Sequence, residues 1–104
     1  MGRLDRLPRR TLDDGRTVHE ATTVRARLLG LAFMRSPPPR GHALLIPHCH
    51  SVHTFGMRFP LDIEFLDEHG VSLRMERAVP PRRVLFERRA FAVLESPSAA
   101  RSSA

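Results

Sequence analysis

The chain has 104 residues, 41% of them hydrophobic, which is enough to build one small domain with a modest core. Its net charge is +6 and all 17 basic residues are arginine, so acidic partners such as nucleic acid or phosphorylated ligands have to be weighed. A single cysteine excludes an internal disulfide, no apolar run approaches the roughly 20 residues of a membrane helix, and MGRLDRLPRR lacks the apolar stretch of a secretory signal, so a soluble cytoplasmic protein is expected.

Residues 1–10 are basic, carry Pro8 and read as a flexible N-terminal arm or a short edge strand. Asp13-Asp14-Gly15 is a turn signal, because Asp bonds its own backbone locally and Gly tolerates positive φ. It joins two short strands predicted over 9–12 and 16–20. Val24, Leu28, Leu31 and Ala32 fall at i, i+4, i+7 and i+8, which predicts a helix over 22–34 capped by Thr22 or Thr23. Gly30 interrupts this pattern, which is tolerable where another part of the chain must pass close by. Pro37-Pro38-Pro39 then stops the helix.

From Ala43 onward the signal is strand. Short runs over 43–46 and 51–57 lead to Pro60, and Leu61, Ile63 and Phe65 then alternate with Asp62 and Glu64. Asp67 to Gly70 make a hairpin loop, after which Val71, Leu73 and Met75 are expected to face the core. Two more short strands follow over 82–87 and 91–95, and SPSAARSSA at 96–104 reads as a disordered tail. The fold expected is α+β and strand-dominated. One compact antiparallel sheet or partly closed barrel of six or seven strands would carry one early helix, with a single domain over 11–95.

Several of these pieces together resemble one family. They are RARLLGL within 23–33, ALLIP at 43–47, SVHTFGMRFPLDIEFLDEHGV at 51–71 and AVLE at 92–95. The joint pattern is similar to domain of unknown function 192 (DUF192), also called UPF0127. The resemblance implies a small, mostly β fold with an early helix and no assigned activity. After Glu95 the chain departs from the family pattern, which continues to a final Gly-Asp strand, and an unpaired sheet edge is the expected consequence.

Chemistry concentrates between Pro47 and Asp67. His48, Cys49, His50 and His53 offer imidazole and thiolate, the usual zinc ligands. In an extended chain, though, Cys49 and His53 point away from His48 and His50, so no metal site and no cofactor are expected. A metal- or cysteine-dependent enzyme on Cys49, His50, His53 and Asp62 is the alternative, and no catalytic residue is assigned. Asp62 is expected to pair with Arg27 and pin the helix to the sheet. His53, Thr54, Met57, Arg58 and Asp62 form the expected contact surface of a non-enzymatic binding module, with an unknown protein or small molecule as partner. Arginine-mediated RNA or phosphate binding is less favoured: Trp and Tyr are absent, so bases would have to stack on Phe or His.

Overall fold

The computed structural model describes residues 3–98. A 3-10 turn, Arg3–Arg6, leads into β1 (Arg9–Thr11), β2 (Thr17–Glu20), α1 (Val24–Leu29), β3 (His42–Pro47) and β4 (Ser51–His53). β5 (Leu61–Leu66), β6 (Ser72–Val79), β7 (Val84–Phe86) and β8 (Ala92–Pro97) complete the described chain. Six strands form a mixed sheet in the order β1-β2-β3-β8-β5-β6, and β4 pairs with β7 in a separate ribbon. The architecture is strand-dominated, as expected, but the sheet is open rather than closed into a barrel. It is also not wholly antiparallel. β2 and β3 run parallel because the chain between them crosses over through α1, and a crossover is what a parallel pair requires.

The helix expected over 22–34 does not form. Only six residues are helical, capped by the Thr23 hydroxyl, which accepts the Ala26 N–H at 3.0 Å. Gly30 ends the helix at φ +56°, and Phe33 is also left-handed, at φ +66°. Leu31 and Ala32 are fully buried, so a turn rather than a helix delivers them to the core. Val24 and Leu28, expected on the same stripe, have side chains outside the described residues.

The two ends also differ from expectation. Leu4 and Leu7 are buried in the main core, so the segment before β1 is packed rather than a loose arm. Ser96 and Pro97 belong to β8, and buried Ser98 donates its N–H to the Pro60 carbonyl at 2.9 Å. The remainder of the expected tail, 99–104, lies outside the described residues. β8 is not an edge: it lies between β3 and β5, antiparallel to both, with the sheet's edges at β1 and β6.

Cross-strand partners share a face, which sorts the sheet into two sides. Leu44, Glu95 and Ile63 form one row, and Ile46, Val93 and Phe65 the next. Both rows face the main core, with Leu31, Met57, Phe59 and Val52 of the β4–β7 ribbon packed over them. The opposite side carries a small cluster of Val18, Ala43 and Leu94. In β6 the expected facing is reversed. A register shift beside Phe65 pairs that residue with Arg74, so Val71 and Met75 are exposed while the Arg74 guanidinium lies 5.5 Å from the Phe65 ring centroid.

Candidate functional site

The residues expected to form one surface are separated by the fold. Thr54 is fully buried: its hydroxyl donates to the Pro80 carbonyl at 2.7 Å and accepts the Arg83 N–H at 2.8 Å. It is a clamp on the 80–83 turn, where Arg82 is left-handed. Met57 is buried in the core and Arg58 is exposed. Thr54→Val would leave both turn groups without their partner and should cost about 1–3 kcal/mol, while Thr54→Ser should keep most of it. Urea melts of the two variants measure this, and a Val variant as stable as the parent would refute the clamp.

Arg27 and Asp62 do not meet. The Arg27 guanidinium donates to the Pro47 and His48 carbonyls and so ties α1 to the end of β3. Asp62 accepts the N–H of left-handed Ala78 at 2.9 Å and faces Arg77 at 3.7 Å. Both residues therefore pin structure, each with partners of its own.

The histidine–cysteine cluster does not converge either. His48 has φ +52°, which breaks the extended run between β3 and β4. Cys49 is half-buried, its thiol donating to the Ser51 carbonyl at 3.0 Å. His48 packs edge-on against Phe91 and His50 edge-on against Phe86. Among the described residues, no three His, Cys, Asp or Glu side chains gather where they could hold a metal ion.

What the fold does assemble is a small polar cleft where α1 ends. Arg27, Gly30, Ser51, His53 and Glu95 line about 40 Å³ of space, with Leu29, Ile46 and Val52 as its apolar wall. Glu95 lies on the core face of β8 and is 3% exposed. One carboxylate oxygen accepts the Leu31 N–H, and the other, Oε1, has no hydrogen-bond partner among the described residues. Burial disfavours the charged form and pushes the carboxyl pKa up to about 7 from an ordinary 4.5, opposed in part by the Leu31 N–H. Gly30 is what lets the carboxylate approach. A Cβ there would lie 2.6 Å from Glu95 Oε1.

Beside the cleft lies an exposed apolar face. Across the ribbon Ser51 pairs with Phe86 and His53 with Val84, and these four share its outer side while Val52 and Leu85 turn inward. Phe86 is 55% and Val84 66% exposed. The face continues to Phe55, 49% exposed, whose ring centroid is 6.1 Å from that of His53. It ends at Phe33, 60% exposed, whose ring lies flat over Gly56 and leaves no space for a Cβ there. A bulky aromatic at positive φ is strained, and the Phe33 N–H bond to the Gly56 carbonyl, 2.9 Å, holds it in place.

A larger groove of about 320 Å³ lies at the other end of β3. Three of its polar side chains are committed elsewhere: Asp62 as above, Arg16 to Asp14 at 2.8 Å, and His42 to His19. His19 is buried, and its Nδ1 must donate to the Leu4 carbonyl at 3.2 Å because a carbonyl can only accept. Its Nε2 is hydrogen-bonded to His42 Nδ1 at 2.8 Å. This pair ties the segment before β1 to the sheet. The cleft differs in offering a buried acceptor with no hydrogen-bond partner among the described residues.

The comparisons with known proteins fit this architecture. A family model described as DUF192, uncharacterised ACR, matches residues 9–102. No curated protein matches. A protein of unknown function from Novosphingobium aromaticivorans DSM 12444 has a similar crystal structure, with TM-score 0.69, 19% identity, and 90% of this chain and 74% of that chain covered. So has a candidate transcription regulator from Sinorhizobium meliloti 1021, with TM-score 0.70, 22% identity, and 90% and 81% covered. At these identities the likeness shows the fold alone.

Proposed function

The chain belongs to the DUF192 family, which has no assigned activity, and from that premise we propose that it is a binding module receiving a partner polypeptide on the outer face of the β4–β7 ribbon. One observation carries this reading. Phe33, Phe55, Val84 and Phe86 lie exposed in one strip beside a cleft that holds a buried carboxylate, one oxygen of which has no hydrogen-bond partner among the described residues. Contiguous apolar surface rimmed by polar groups is a feature of interaction sites, and aromatic side chains supply much of the binding energy at such sites. The strip takes in Ser51, His53 and Phe55 of the region the sequence singled out. Thr54 and Met57 serve by holding it from beneath.

Selecting a random peptide library on the immobilised protein tests the reading. Peptides enriched on the parent should lose at least about ten-fold in affinity for Phe86→Ser and for Phe55→Ser, as loss of an interface anchor does. Enriched peptides that bind parent and variants equally, or no enrichment at all, would refute it.

The arginines support nucleic-acid binding less well. Arg74 faces Glu76 and Glu87, Arg89 faces Glu87, and Arg16, Arg27 and Arg77 have the partners given above. The name of the Sinorhizobium structure keeps this alternative in view. An RNA or DNA complex of this protein should weaken steeply with salt because counterion release sets the slope, whereas a complex on the apolar strip should hardly change between 50 and 200 mM.

A further inference from the structure

We propose that the cleft takes a primary carboxamide, the Asn or Gln side chain of the docked polypeptide. The inference rests on the polypeptide-docking reading of the neighbouring strip and adds what the cleft itself selects. Three groups set its chemistry. Glu95 Oε1 is a buried acceptor in need of a donor. Arg27 places a positive charge in the wall, fixed there by its bonds to the Pro47 and His48 carbonyls. Ser51 adds a hydroxyl that can donate to an incoming acceptor.

Candidate guests can be judged against these three. An ammonium would satisfy Glu95 but bring a second positive charge beside Arg27. A carboxylate would suit Arg27 but face the bare oxygen of Glu95. A hydroxyl carries its donor and acceptor on one atom, so it serves both walls only where they stand within hydrogen-bond reach of a single oxygen. A carboxamide separates them: its NH₂ can donate to Glu95 Oε1 while its carbonyl accepts from the Arg27 and Ser51 side. The space, about 40 Å³, is about three times the roughly 10–15 Å³ that one buried water needs, which suits a planar group of a few heavy atoms. Gly30 keeps the Glu95 side open because it adds no Cβ.

The test uses small probes and needs no docked partner. ¹⁵N-labelled protein at pH 8 is titrated with acetamide, acetate and methylammonium, reading the amide signals of Gly30, Leu31, Ser51 and His53. Acetamide should saturate these shifts at about ten-fold lower concentration than either ion, as expected for hydrogen bonds to a charged group. Glu95→Gln supplies the second arm. The Gln carbonyl would take the Leu31 N–H, turning its NH₂ into the cleft, so the variant should prefer acetate. A parent that prefers methylammonium or acetate, or binds no probe, overturns the proposal, as does a variant that keeps the acetamide preference. Peptides that dock on the strip without Asn or Gln enrichment overturn it while leaving the docking surface intact. Acetamide binding with no strip-binding peptides overturns the assignment to a docked side chain.

Discussion

Glu95→Gln should make the protein more stable at pH 8, by about 2 kcal/mol, and should flatten its stability between pH 5 and 8. The carboxyl has a folded pKa of about 7 and an ordinary value of 4.5. A raised folded pKa means that the native state holds the proton more tightly than the unfolded chain. Its stabilising contribution is therefore complete below about 4.5 and is lost as pH rises towards 7. At 1.36 kcal/mol per unit, the loss is about 3 kcal/mol for this 3% exposed side chain. Glutamine stays neutral throughout and can still accept the Leu31 N–H. Its NH₂ then sits where Oε1 now lacks a partner, and leaving that group unsatisfied offsets about 1 kcal/mol of the gain. The net effect corresponds to a melting temperature about 10 °C higher than the parent's at pH 8. Asp67, held below the usual carboxylate range chiefly by the Val71 N–H, acts in the opposite sense and only at the acid end. Melts of both proteins at half-unit pH steps decide the matter. A parent whose melting temperature is level from pH 5 to 8, or a variant less stable at pH 8, would mean that Glu95 is not a desolvated acid.

Much of the strand layout is legible in the sequence because alternation leaves a plain mark. Leu61, Ile63 and Phe65 are core residues, and Asp62 and Glu64 are not. Asp14-Gly15 and Asp67 through Gly70 turn the chain where their backbone preferences say they should. The helix misleads for a physical reason: Leu31 and Ala32 fit the 3.6-residue period, yet a turn with Gly30 and Phe33 at positive φ buries them just as completely. In β6 the composition alternates correctly but a register shift reverses its meaning, and such shifts leave no trace in composition. The contact residues fared unevenly. Thr54 and Met57, expected at a contact surface, are buried instead, because a polar or sulfur-bearing side chain can satisfy the interior as readily as meet a ligand. Glu95 did carry a signal. Ala92, Val93 and Leu94 form an apolar run without alternation, the mark of a strand covered on both faces, and Glu95 continues that run into the core.

Gly30→Ala, the addition of one methyl group, should cost about 3 kcal/mol or more. Two separate costs meet at this position. At φ +56° and ψ −127° the backbone occupies a region open to glycine but strained for alanine, worth about 1–3 kcal/mol. The added Cβ would also lie 2.6 Å from Glu95 Oε1, and that carboxylate cannot move away without giving up the Leu31 N–H in a packed core. Removing the carboxylate separates the two. In a Glu95→Ala background, Gly30→Ala should cost only its backbone strain, so a double-mutant cycle should return a coupling of at least about 1 kcal/mol between the two residues. Additive costs would show that the two sites do not press on each other, and a harmless Gly30→Ala would remove the contact altogether. The same contact explains why the helix stops where it does. Continuing α1 past Leu29 with a side chain at 30 would fill the space through which β8 presents Glu95. The short helix and the open cleft therefore have one cause, and a residue at 30 that lengthened the helix would also close the cleft.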